Sequence, residues 1–379
     1  MPVCGVDMEM PANTFMRRGA IEGKMAHRFS VVSVGVFFAF VHLHPILAQQ
    51  STAQSIPQEN SSYTDAEGTA YITRIVPAPQ TISPEAQKSL ARQGTAAPSQ
   101  PDKPQPVQTR QTSSDETRAV YPANIEFSTI AGVAVSVVTP LVAPADKANR
   151  VLINLHGGGF SKDSGSLTES LPLANLTQTK VVSVIYRLSP EHPFPAPIED
   201  VVAVYKDLLK AYPAPNIAIY GSSAGAILTA EVAIKIKQSG LPLPGALGVF
   251  SGGGDFSKIG DSQQIYGVQG LSGHPDTRPK GVQWLGVYVG SANPKDPLLS
   301  PFFADLHGLP PTLFMTSTRD FMLSDTTLLH RAFLRAGVDA SLVVFDGLNH
   351  CFWYDPNLPE SHEADGIMAH FFDAHLGAR

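Results

Sequence analysis

Five residues near the middle of the chain, Gly221-Ser222-Ser223-Ala224-Gly225, have the form of a serine held out for attack. They follow a short β-branched run, Asn216–Tyr220, and open a helix-favouring stretch, Ala224–Gln238. A G-x-S-x-G at a strand-to-helix turn lifts the serine hydroxyl above a sheet. Its glycines let strand and helix backbones approach closely, and the helix N-terminus brings partial positive charge to the reacting centre. This pattern predicts Ser223 as a nucleophile and the Ala224 N–H as a donor to a developing oxyanion. A second motif, His156-Gly157-Gly158-Gly159, directly follows the run Val151–Leu155. Successive glycines aim N–H groups inward with no side chain in the way, which makes Gly158 and Gly159 the other expected oxyanion donors. An ordinary Gly-rich turn or a phosphate-binding loop is the alternative. The phosphate reading lacks both the P-loop pattern and a G-x-G-x-x-G opening a helix. His156 stands ahead of the glycines and is read as orienting the loop rather than as a base.

Between these motifs lies Tyr186-Arg-Leu-Ser-Pro-Glu-His-Pro-Phe-Pro-Ala-Pro-Ile-Glu-Asp200. With His156–Gly159 and Gly221–Gly225 on either side, the chain resembles the hormone-sensitive-lipase-like family of α/β-hydrolases over about residues 120–379. The resemblance implies an α/β-hydrolase fold: a mostly parallel eight-stranded sheet flanked by helices, with a small N-terminal cap. It also implies a serine carboxylesterase acting on short- to medium-chain acyl esters, with no cofactor and no metal. A homodimer through the last, edge strand is expected by the same resemblance.

The triad partners follow from the chain order of such hydrolases: serine, acid, histidine. The acid should come just after the seventh strand, Thr312–Thr316, which selects Asp320. Asp325 is the rival, but it sits where a helix begins, and helix N-terminal stabilisation accounts for it. The histidine should follow the last strand, Ala340–Phe345, which selects His350. His330 lies in a helical stretch, His362, His370 and His375 fall in the last helix, and His307 precedes the seventh strand. Three positions depart from the family pattern. Ser222 stands where Asp or Thr is usual, which would loosen contacts beneath the turn. Cys351 stands where Gly is common, and Phe321-Met322 where Pro-Leu is common. A thiol nucleophile at Cys351 is disfavoured because it sits in no strand-to-helix turn.

The elements that must hold these residues alternate. β-branched runs fall at Asn124–Thr129, Val133–Thr139, Val151–Leu155, Val181–Tyr186, Ile217–Tyr220, Ala246–Phe250, Thr312–Thr316 and Ala340–Phe345. Helical stretches fall at Pro197–Ala211, Ala224–Gln238, Asp325–Ala336 and Ser361–His375. This alternation argues for a mostly parallel sheet covered on both faces. The first two runs, joined through Ile130-Ala-Gly132, read as a hairpin. Residues 252–296 are Gly- and Ser-rich and read as an insertion. Phe160, Phe194, Phe256, Trp284, Phe321 and Trp353 are candidates to line a pocket, with plain packing as the alternative for each.

The 379 residues carry 27 Lys+Arg against 33 Asp+Glu, a net charge of −6, so no basic footprint for nucleic acid is present. The two cysteines, Cys4 and Cys351, form no metal or disulfide pattern. Arg17, Arg18, Lys24 and Arg28 precede the apolar run Phe29–Val41, and the segment ends at Ala48 before Gln49. This describes a secretory signal over residues 1–48, cleaved near Ala48 to give an exported chain with no stable membrane span. An uncleaved anchor is the alternative. Residues 49–119 read as a low-complexity linker and N-terminal cap, extended for the most part, with a helix start at Ser83-Pro84-Glu85. Residues 120–379 read as the catalytic domain. Beyond an ester hydrolase, a lactone hydrolase and a non-catalytic small-molecule-binding protein on the same fold are the alternatives. Retention of His350 favours an enzyme.

Overall fold

The structure, a computed structural model, describes residues 59–95, 107–271 and 283–377. The expected leader over 1–48, with Cys4, lies outside these residues. The chain divides at Ile75 and Val76 into two units. In the first, β1 (Ser61–Thr64) pairs antiparallel with β2 (Ala70–Thr73), and Tyr63 stacks on Tyr71 at 4.5 Å. The Asp65 carboxylate closes the turn by accepting from the N–H groups of Glu67 and Thr69. The expectation of an extended linker is therefore corrected here. An Asx turn between two short Tyr-bearing runs is enough for a hairpin even in polar sequence.

The second unit opens with α1 (Pro84–Thr95) and α2 (Val107–Val120). Ser83 Oγ accepts from the Ala86 N–H at 3.1 Å, as a helix N-cap does. Ser83 also donates to Glu360, and Ile82 and Ala86 pack in one core with Leu348 and Leu358. The α2 sequence is polar, and its composition gave no sign of a helix.

β3 (Ala123–Ile130) and β4 (Val133–Pro140) form the expected hairpin. Then follow β5 (Val151–Leu155), α3 (Ser166–Thr177), β6 (Lys180–Val184), α4 (Ala196–Leu208), β7 (Ile217–Ser222), α5 (Ala224–Gln238) and β8 (Ala246–Phe250). The short α6 (Asp261–Ile265) and α7 (Gln283–Val289) occupy the insertion. The chain closes with β9 (Thr312–Ser317), α8 (Leu323–Arg335), β10 (Ala340–Phe345) and α9 (Pro359–His375). The strand order is β10-β9-β8-β7-β5-β6-β4-β3, with β5 to β10 parallel and the β3–β4 hairpin antiparallel at one edge. This is the eight-stranded, mostly parallel sheet expected.

α3 escaped the sequence reading. Nine of its residues are buried, so no polar stripe marks it, and Pro172 inside it reads as a breaker. The central strands are buried on both faces, as parallel sheets require. Ile153, Leu155, Ile219 and Val249 face a core shared with α4 and α5. Leu152, Ala218, Tyr220 and Met315 face the core that holds α3 and α9. Both layers hold the strands in register, so that their C-terminal ends share one edge. The loops after β5, β7, β8, β9 and β10 emerge there.

Candidate active site

Ser223 stands at the head of β7 with φ 57 and ψ −122, a left-handed conformation rare for a residue with a side chain. Surrounding structure holds it there. Its N–H donates to the Phe250 carbonyl at 2.9 Å, and its own carbonyl accepts from Ala226 and Ile227 in the first turn of α5. Gly225 lets that helix approach β5: a Cβ there would stand 1.8 Å from the Leu155 carbonyl oxygen. Ala224 opens α5, where the first N–H groups have no partner within the helix.

Position 222 does not loosen this turn. Ser222 is buried, and its Oγ accepts from Trp353 Nε1 at 3.1 Å, which ties the turn to the segment after His350.

The loop after β5 carries Gly158 at φ 117 and Gly159 at φ 63, and a Cβ on Gly158 would stand 2.0 Å from the Lys162 carbonyl oxygen. Gly157 uses its N–H on the Glu169 carboxyl at 3.3 Å. His156 is buried and stacks on Tyr186 at 4.1 Å, and the Tyr186 hydroxyl donates to its carbonyl. Its ring is packed as a loop-orienting residue would be.

Asp320, after β9, is buried with both carboxyl oxygens engaged. Oδ1 lies 2.8 Å from His350 Nδ1 and accepts from the Met322 N–H at 2.8 Å. Oδ2 accepts from Thr316 Oγ1 at 2.9 Å and from Ser251 Oγ. Burial alone would raise this carboxyl. The charge of His350, with its hydrogen bond and those of Ser251 and Met322, instead holds it below the ordinary carboxylate range. Phe321 packs on the His350 ring at 4.5 Å between centroids.

Asp325 behaves differently from its sequence reading. It is buried in the first turn of α8, and its pKa rises to about 7, through burial first and then the charges of Asp255 and Asp320. Desolvation outweighs the helix N-terminus there. Cys351 is a buried thiol pushed well above its usual range, by burial first and then by the Asp320 and Glu169 charges. That is the opposite of what thiolate chemistry needs.

Of the rival histidines, His307, His330, His362 and His375 have structural partners. His362 Nδ1 lies 2.6 Å from the Tyr121 hydroxyl, His375 Nδ1 2.8 Å from the Phe371 carbonyl oxygen, and His307 beside Asp305.

Of the aromatic candidates, Phe160 is buried face to face with Tyr288 at 3.6 Å, with Phe194 edge-on to the same ring. Trp353 is core beneath Ser222. Phe256 borders a small cleft with Ile227, Asp255, Met322 and Asp325. The Trp284 side chain lies outside the described residues. Among the described residues no group of three or more His, Cys, Asp or Glu is placed to hold a metal, and no helix is long and apolar enough to cross a membrane.

The residues that complete this site without a sequence motif are Ser251, Thr316, Glu169, Asn154 and Tyr354. Each is a single polar residue at the end of an element, and only the strand order brings them to the loops they serve.

A family model for the alpha/beta hydrolase fold matches residues 152–354. An acetyl-hydrolase of Streptomyces hygroscopicus is 32% identical over 62% of this chain and 79% of its own. Among solved structures, esterase E25 superposes with a TM-score of 0.70 at 32% identity, covering 80% of this chain and 98% of that one. An esterase from the bacterial hormone-sensitive lipase family superposes with a TM-score of 0.67 at 29% identity, covering 78% and 99%.

Proposed function

We propose a triad mechanism for this chain, which belongs to the hormone-sensitive-lipase-like family of α/β-hydrolases and is a carboxylic ester hydrolase. Ser223 attacks the ester carbonyl while His350 removes its proton. Asp320 holds the imidazole in the tautomer and orientation that leave Nε2 to accept that proton, and stabilises the charged ring. The N–H groups of Gly158, Gly159 and Ala224 stabilise the oxyanion. His350 then protonates the leaving alcohol, and water repeats the cycle on the acyl-enzyme.

One observation carries this reading. His350 Nδ1 and Asp320 Oδ1 are 2.8 Å apart, in a carboxyl site built wholly of donors. The engagement of the Gly157 N–H by Glu169 supports Gly158 and Gly159, rather than Gly157, as the oxyanion donors. Short- to medium-chain acyl esters are the proposed substrates, supported by the likeness to an acetyl-hydrolase. The basic and apolar leader supports export with cleavage near Ala48. The edge position of β10 is the support for a homodimer.

Ser223→Ala tests the reading. Its kcat on p-nitrophenyl butyrate should fall by about 10⁵- to 10⁶-fold while its circular dichroism spectrum is kept. Hydrolysis at the parent rate would overturn it.

A further inference from the structure

Behind the Gly157–Gly159 loop lies a carboxyl that the mechanism above does not use. Glu169 sits in the first turn of α3, buried, with both oxygens facing donors. Oε1 accepts from the Tyr354 hydroxyl at 2.5 Å and from the Gly157 N–H at 3.3 Å. Oε2 accepts from Asn154 Nδ2 at 3.0 Å. Ser183 donates to Asn154 Oδ1 at 2.7 Å, which turns the amide nitrogen toward Glu169.

These partners come from β5, from the loop after it and from the segment after His350. Two glycines make the room. A Cβ at Gly165 would stand 2.6 Å from Glu169 Oε1, and one at Gly157 would stand 3.0 Å from the Tyr354 hydroxyl. The first glycine of the His156–Gly159 motif is thus required by this cluster as well as by the loop's own geometry.

A buried acid is costly, and an apolar side chain would pack the first turn of α3 as well. What an apolar side chain cannot do is accept from two separate loops on one atom. Resting on the triad reading above, we propose that Glu169 is a positioning residue for ester hydrolysis. Its Oε1 locks the oxyanion loop to the segment after His350, setting the Gly158 and Gly159 N–H groups and the imidazole against one another around Ser223. Either loop can shift only if this carboxyl gives up a donor. A displacement of about 1 Å between such groups costs up to about 100-fold in rate.

Assayed at pH 9, where the Glu169 carboxyl is ionised, Glu169→Gln keeps the volume but turns one acceptor into a donor facing donors. Its kcat on p-nitrophenyl butyrate should fall about 10- to 100-fold, with KM held within about twofold. Tyr354→Phe removes one of the two links on Oε1 and should lower kcat about 3- to 10-fold, again with KM kept. The double variant should be no slower than Glu169→Gln alone, because both act through one lock. An unchanged kcat in folded Glu169→Gln, a loss confined to KM, or losses that multiply in the double variant would overturn the proposal. If Glu169→Gln does not fold, Tyr354→Phe decides: a lower kcat with KM kept supports the lock, and the parent kcat overturns it. Ser223→Ala assayed alongside separates the two claims. An active Ser223→Ala defeats the triad itself, whereas an inactive one beside fully active Glu169→Gln and Tyr354→Phe defeats only the lock.

Discussion

Asp320 and Glu169 are both buried carboxyls ringed by hydrogen-bond donors, yet their charge states diverge. Asp320 accepts from two hydroxyls and a backbone N–H and touches His350, and its pKa is held below the ordinary range. Glu169 has a comparable set of donors and the N-terminal turn of α3, yet burial pushes its pKa up to about 8. The difference is the imidazole. Neutral donors offset part of the desolvation cost, whereas a partner that can carry positive charge reverses it. The region after β9 is therefore built to keep a charge, and the region behind the β5 loop to hold a geometry.

Asp320→Asn breaks the first half of this comparison and should have the largest effect. It leaves the shape but removes the charge and the tautomer control, so kcat should fall about 10⁴-fold, as measured by steady-state ester hydrolysis. A loss under tenfold would mean that another group orients His350.

The next effect lies in the pH dependence of stability and has opposite signs for the two acids. The folded pKa of Asp320 is below its unfolded value, so its contribution is present above about pH 4 and is lost as pH falls through the folded value. Glu169 is raised from 4.5 to about 8, so its contribution is complete below pH 4.5 and is lost as pH rises through about 8. Urea-unfolding midpoints should show this. Relative to the parent, Glu169→Gln should gain stability between pH 5 and pH 8.5, and the deficit of Asp320→Asn should shrink toward pH 3. Parallel pH profiles for the two variants would contradict the contrast.

The smallest effect sharpens the comparison. Ser251→Ala removes one donor from Asp320 while Thr316, Met322 and His350 remain. We expect a loss of about 3- to 10-fold in kcat, well short of the Asp320→Asn value. A loss as large as that of Asp320→Asn would place the control of the carboxylate in the hydroxyl rather than in the imidazole.

Much of this molecule was legible because local chemistry and long-range fold agree. The runs Val151–Leu155, Ala246–Phe250 and Ala340–Phe345 became strands with those same ends, since short β-branched runs with turn residues at both ends have few other stable forms. Ala224–Gln238 became α5 for the same reason, with Ser223 at its head. α3 was not legible, because a helix buried nearly all round has no polar face to reveal its period. With it went Glu169, a lone acid among small polar residues. The β1–β2 hairpin and α2 were hidden by polar composition, where turn geometry and packing decide and periodicity does not.

The sequence by itself determined the order of the proposed triad and oxyanion loop: a serine in a strained turn, an acid after one strand, a histidine after the last, and glycines after an early one. Each of those is a local constraint on backbone or side chain that few residues satisfy. Tertiary structure alone decided which polar residues gather behind them. Ser251, Thr316, Asn154, Glu169 and Tyr354 carry no local signature, and they meet only because the strand order places five loops at one edge of a single sheet. Whether a buried acid stays charged is likewise set by neighbours far away in the chain, through desolvation and the nearest ionisable partner.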